Sequence, residues 1–111
     1  MTHSAAVISE IARERERQIS VEGWTIEHDN VHDCGELAVA AACYALGVPE
    51  VSRSCYAENG SAIISVKLWP WSTAWWNPKT SRQDLIRAAA LIVAEIERLD
   101  RAAAPKTDGT S

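Results

Sequence analysis

The stretch Ser81-Arg82-Gln83-Asp84-Leu85-Ile86-Arg87-Ala88-Ala89-Ala90-Leu91-Ile92-Val93-Ala94-Glu95-Ile96-Glu97-Arg98-Leu99-Asp100 is the most regular part of the chain, and its reading decides the fold. Leu85, Ala89, Ile92, Ile96 and Leu99 follow one another in alternating steps of four and three, and Ile86 and Val93 widen the stripe. That spacing predicts an amphipathic helix. Ser81, with Asp84 three residues on, resembles a capping-box start. A stripe this broad has to be covered by other helices, from the same chain or from a second copy.

Working outward, two further helices are expected. The first runs from Ser4 to about Ile19, where Val7, Ile8, Ile11 and Ile19 are spaced to share one face. Its second half carries the charge run Arg13-Glu14-Arg15-Glu16-Arg17. Such a run reads as a solvated face with intrahelical ion pairs, or as one or two arginines turned inward to meet a phosphate. Gly23 interrupts the pattern. The second helix is predicted from Asp29 or Asn30, both good N-caps, through the alanine-rich run Leu37–Leu46. Gly47 supplies its stop, with Pro49 two residues beyond. Residues 48–80 read as a long structured loop with room for one short hairpin around Ile63–Leu68, and loops of that length are usually functional or mobile. The expected fold is mainly α. It is a compact bundle of three main helices, with a long Trp/Pro-rich loop between the second and third. Residues 1–101 form a single helical domain, and 102–111, with Pro105 and Gly109, form a flexible tail.

The chain has 111 residues, enough for one domain, and a formal charge of −4. That charge argues against duplex nucleic acid as a partner, though not against a small anion held by local cations. No stretch reaches the roughly 18 apolar residues of a membrane span, and Met1–Glu10 does not read as a secretory leader. Three cysteines, Cys34, Cys43 and Cys55, without a C-x-x-C pair fit a reduced, cytoplasmic setting and no structural zinc.

The chemistry concentrates elsewhere. Four of the five tryptophans, Trp69, Trp71, Trp75 and Trp76, lie within eight residues of a proline-bracketed segment, and the chain has no phenylalanine. Tryptophans on an ordered loop either plug a small core or offer flat faces to a planar ligand. Two of the four are expected as core plugs and at least one beside a pocket. The adjacent Trp75 and Trp76 should occupy different environments. Trp24 is expected to staple the turn after the first helix or to join the same cluster. Lys79 and Arg82 follow at the start of the third helix, where a phosphate would find both cations and backbone N–H groups. The ligand-binding set predicted from the residues is therefore Trp24, Trp69, Trp71, Trp75, Trp76, Lys79 and Arg82. His28, His32 and Glu36 are spaced by four, with Asp29 and Asp33 alongside. A magnesium site on Asp33 and Glu36 is the more plausible metal reading; a histidine-held transition metal is the weaker one.

Three segments carry a resemblance. They are Ala12–Gln18 ahead of a Gly-Trp turn, Asp33-Cys34-Gly35-Glu36-Leu37-Ala38, and Asp84–Ala90 running into Ile96–Arg101. Together they resemble small phage or prophage proteins of the all-α, MazG-like nucleotide pyrophosphohydrolase family. The resemblance implies a helical fold, a dimer or tetramer, and two carboxylate pairs holding magnesium against a nucleoside triphosphate. The first pair falls on Asp33 and Glu36. The second falls on Asp84 and Arg87, so an arginine stands where that family has a carboxylate. A fainter similarity to ryanodine-receptor-type repeat domains rests on Gly23-Trp24-Thr25 with Asp29 and His32. The leading expectation is a cytoplasmic, phage-type protein, homo-oligomeric, that sequesters a nucleotide-derived small molecule without a cofactor and counters host nucleotide signalling. One alternative is a magnesium-dependent pyrophosphohydrolase whose acidic site uses Asp29, Asp33 and Glu36, with Asp84 from the resemblance. The other is a protein-interaction module that inserts the tryptophan loop into a host protein.

Overall fold

The computed structural model describes residues 2–57 and 60–104, with side chains 51–66 left aside. Of the predicted tail 102–111, Ala102 and Ala103 belong to the last turn of α4, and the residues from Pro105 onward lie outside the described residues. The fold is mainly helical. Its main helices are α1 (His3–Ser20), α3 (Glu36–Leu46) and α4 (Ser81–Ala103), with a short α2 (Ile26–Asn30) between the first two. The strands β1 (Glu50–Ala57) and β2 (Gly60–Lys67) form one antiparallel hairpin, in register from Glu50 opposite Lys67 to Ala57 opposite Gly60. A single 3₁₀ turn, Thr73–Trp75, lies within the tryptophan loop.

The predicted second helix is divided. Thr25, not Asp29 or Asn30, caps α2, its hydroxyl accepting from the His28 N–H. The chain then turns and re-enters helix at Gly35, which has a φ of 83°. A left-handed residue cannot continue a right-handed helix, and glycine takes that conformation without a Cβ penalty. Gly47 ends α3 as predicted, with its own N–H and that of Val48 both donating to the Cys43 carbonyl. On α4 the cap sits one residue earlier than predicted. Thr80 and Gln83 form the reciprocal capping box, which leaves Asp84 for another task.

α4 packs against α3 on one side and α1 on the other. The face it buries is not the one with the bulky stripe. Ala88, Leu91 and Ala94 go inside, in one cluster with Leu37, Ala40, Ala41, Cys43 and Tyr44 of α3, and Ala90 is buried as well. Leu85, Ile92, Ile96 and Leu99 are about half exposed, at 49–54%. The small residues win because they let two helix axes approach closely, and α3 presents an alanine wall to meet them.

α1 behaves differently from its predicted face. Ile8 and Ile19 are exposed, and the residues it buries are Arg15 and Gln18. Arg15 does turn inward out of the charge run, but toward a protein carboxylate. Its guanidinium meets Asp29 at 2.6 Å and Glu97 at 3.0 Å, and donates to the Trp24 carbonyl at 3.4 Å. Arg17 stays in a partly exposed network with Glu14 and Glu22.

The hairpin explains how the tryptophan loop reaches α3. The Pro49 carbonyl accepts from both the Leu68 and the Trp69 N–H, at 3.0 and 2.9 Å. The chain therefore leaves at Pro49, runs out and back, and returns to the point of departure. Trp69 lands on Tyr44, in the last turn of α3.

Candidate functional site: an aromatic-walled cavity

Trp69 is the anchor of the site. It is 5% exposed, and its indole N–H donates to the Ser72 carbonyl at 2.9 Å, which shapes the turn after Pro70. Its ring meets Tyr44 and Trp71 edge-on at 5.5 and 5.3 Å, and Trp76 at 5.0 Å. Trp76 tilts over Tyr44 at 4.9 Å. These distances are those of favourable edge-to-face and tilted aromatic pairs. Trp75 and Trp76 separate as adjacency requires: Trp76 packs on the core and Trp75 is 69% exposed.

The second wall comes from the turn after α1. Trp24 and His28 stack with planes 7° apart and centroids 5.9 Å apart. His28 meets His32 at 4.6 Å, and His32 meets Trp71 at 5.2 Å. Arg15 holds this wall in place. It grips the Trp24 carbonyl and the Asp29 carboxylate, and Asp29 in turn hydrogen-bonds the His28 ring at 2.9 Å. A buried ion pair thus positions an indole and an imidazole on the far side of the segment.

Between the walls lies a cavity of about 770 Å³. It is lined by Trp24, His28, His32, Tyr44, Trp69, Trp71, Trp75, Trp76 and Arg87, with Glu22, Ser72, Ala74 and Asn77 at its margins. A volume of that order accommodates a drug-sized or nucleotide-sized molecule. All five tryptophans of the predicted binding set line this one cavity.

The predicted cations fall differently. Lys79 and Arg82 line a neighbouring polar cavity of about 520 Å³, with Glu10, Glu14, Arg17 and Gln83. Arg82 is spent in a two-pronged pair with Glu10, at 2.7 and 2.8 Å, which holds the Glu10 carboxyl below its ordinary range. The Lys79 ammonium forms no ion pair with the described residues, although its backbone N–H donates to Asp84. The cation at the aromatic cavity is Arg87. Its guanidinium carbon lies 4.7 Å from the centre of the Tyr44 ring, and one nitrogen donates to the Asn77 carbonyl. Arg87, Asn77 and Glu22 line both cavities, so the two adjoin along that edge. Burial pushes the Tyr44 phenol above its ordinary value of 10, so it is neutral at physiological pH.

Tyr44, His28, His32 and Arg87 line the cavity although the sequence reading did not place them there. Tyr44 carried one signal, as the single aromatic residue in an alanine-rich helix. Arg87 had registered only as a misfit in a carboxylate pattern.

The acidic residues do not converge. Among the described residues no three His, Cys, Asp or Glu side chains are grouped to hold a metal ion. Asp84 is buried on α4, accepting from the Lys79 N–H at 2.8 Å with Arg87 at 3.6 Å. Asp29 is taken by Arg15. Asp33 is exposed beside Cys34. Glu36 folds back onto the Cys34 N–H at 2.6 Å and the His32 ring at 3.1 Å. The break at Gly35 separates Asp33 from Glu36, which one continuous helix would have aligned, and Asp84 is held on α4 by the Lys79 N–H and Arg87.

Glu36 has a pH consequence. Its own N–H at the start of α3, then His32 and the Cys34 N–H, hold its carboxyl below the ordinary 4.5. A carboxyl lowered in the folded state stabilises the fold above its unfolded value and loses that contribution as pH falls through the lowered value. Unfolding midpoints measured by urea titration should therefore fall below pH 4.5 more steeply for the wild type than for Glu36→Gln. Parallel curves for the two proteins would remove Glu36 from the account.

No family model matches this chain, and no curated protein or solved structure is detectably similar to it. Among the described residues no helix is long and apolar enough to cross a membrane.

Proposed function

We propose that this chain binds a nucleotide-derived small molecule and sequesters it without turning it over. The observation that carries this reading is the aromatic cavity with a guanidinium in its wall. Indole and imidazole faces stack on any nucleobase, and each such contact contributes about 1–3 kcal/mol. Arg87, where the aromatic cavity meets the polar one, supplies a planar two-pronged donor for a phosphate on the same molecule. Lys79 extends that cationic edge. A phage-type protein of this design would remove a nucleotide signal from a host cell by holding it.

The dispersal of Asp29, Asp33, Glu36 and Asp84 favours binding over magnesium-dependent hydrolysis, since magnesium needs carboxylates that meet one another and the substrate phosphates. Pyrophosphate release from nucleoside triphosphates that is abolished by Glu36→Ala and by chelators would reverse this order. The exposure of Trp75 favours the interaction-module reading as a second possibility, since exposed aromatic anchors are typical hot spots. It predicts a host protein that co-purifies with the chain and is lost on Trp75→Ala.

The test is titration calorimetry, with indole fluorescence in parallel, against nucleoside triphosphates, cyclic dinucleotides and cyclic ADP-ribose isomers. At least one should bind saturably and quench the indoles. Arg87→Ala should weaken that ligand about 10- to 150-fold, the effect of losing a charge-assisted hydrogen bond. A flat response across the whole set refutes the proposal.

A further inference from the structure

We infer that the exposed face of α4 is a self-association surface, on which a second copy of this chain packs its own α4 antiparallel, with Ile92 at the twofold axis. The starting observation is that α4 carries a row of large apolar side chains that its packing against α1 and α3 leaves uncovered. Ala88, Leu91 and Ala94 are buried within the chain, whereas Leu85, Ile92, Ile96 and Leu99 remain about half exposed and Val93 partly so. The unused face is the one with the alternating four-three spacing, which is the pattern of a helix that packs along another helix over several turns. It holds the larger side chains, and nothing else in the described part of the chain covers it.

Area is sufficient. Four half-exposed branched side chains and the partly exposed Val93, with their neighbours, present on the order of 600 Å² per copy, so a symmetric pair reaches the roughly 1,200 Å² at which specific interfaces begin. A twofold contact puts the same patch on both copies, so a stripe running the length of one helix is its own complement.

The residue sizes set the direction. With Ile92 at the axis, Leu85 lies opposite the partner's Leu99, and the small Ala89 lies near the partner's Ile96. Each large side chain then meets a space left by a small one or pairs with a large one at the ends. A parallel arrangement would set Ala89 against the partner's Ala89 and leave a gap in the middle of the seam. Antiparallel pairing also opposes the two helix dipoles, so that each α4 N-terminus lies beside the partner's α4 C-terminus. This inference is independent of any ligand.

Sedimentation velocity of the full chain across micromolar concentrations should show a dimer, and Ile96→Glu should shift it to a monomer with an unchanged helical circular dichroism spectrum. Disulfide trapping tests the direction in a Cys34→Ser, Cys55→Ser background. Ile92→Cys should cross-link to itself under mild oxidation. Leu85→Cys should not, because seven residues on either side of the axis place the two positions about 21 Å apart, well beyond disulfide reach. A wild-type chain that stays monomeric overturns the inference, as does an Ile96→Glu variant that stays dimeric. Self-cross-linking at Leu85→Cys overturns the antiparallel arrangement, whether or not Ile92→Cys also cross-links, and so does a failure of Ile92→Cys to cross-link. If Ile96→Glu fails to fold, the two cysteine variants still decide.

Discussion

Asp29→Ala should lower the stability of the fold by about 3–5 kcal/mol, the largest effect expected of any single substitution outside the aromatic cluster. Asp29 is fully buried, and its carboxylate meets the equally buried Arg15 guanidinium at 2.6 Å. Removing the acid leaves a cation enclosed by protein with only Glu97 beside it, and Glu97 is half exposed. The cost is that of a buried charge left with one half-exposed partner, not the modest net value of the pair. Two measurements separate these. The melting temperature of Asp29→Ala should fall by more than about 10 °C. The double variant Arg15→Met, Asp29→Leu should recover most of that loss, because it removes both charges and keeps the volume. A double variant no better than the single one would mean that the pair itself supplies the stability. The same single variant should also loosen the Trp24–His28 wall, since Asp29 and Arg15 hold it, and so should weaken any ligand of the cavity.

Trp69→Ala should cost about 3–5 kcal/mol, whereas Trp75→Ala, six residues away, should stay within about 0.5 kcal/mol of the wild type. Trp69 is enclosed by Tyr44, Trp71 and Trp76, with its N–H bonded to Ser72. Its loss opens a void at the junction of the hairpin, α3 and the tryptophan loop, and nothing nearby can collapse to fill it without moving the loop. Trp75 projects from the 3₁₀ turn into solvent at the cavity rim, so its removal forfeits a contact surface and almost no packing. Denaturant unfolding of the two variants checks this directly. Equal costs would mean that the division of the cluster into a packed part and a presented part is mistaken.

Both expectations rest on contacts that the chain's local patterns reveal only in part. The helical character of α4 and the alanine-rich α3, the stop at Gly47 and the gathering of aromatic residues between them are all local properties. Spacing, propensity and a left-handed glycine suffice to define them. The charge run on α1 announced that arginines were available, but not that Arg15 is the one that turns inward. Its choice depends on Asp29, which reaches it only after Gly23 and the cap at Thr25 have redirected the chain. Arg87 shows the same limit. In sequence it stood where a resemblance called for a metal ligand. In the fold it is a cation lying over Tyr44, a residue 43 positions earlier in the chain.

What the amino-acid order determined by itself was that three main helical segments form, that α3 stops at Gly47, and that four of the indoles would lie on the connection between α3 and α4. What only the tertiary structure decided was which face of α4 goes inside, which arginine is buried, and that indoles from two distant segments wall one cavity with Arg87 at its edge. The physical reason is that periodicity names every apolar face a helix has, but choosing between two of them depends on the partner. Here the alanines of α3 reward close approach, so the smaller residues of α4 were buried and the larger ones were left outside.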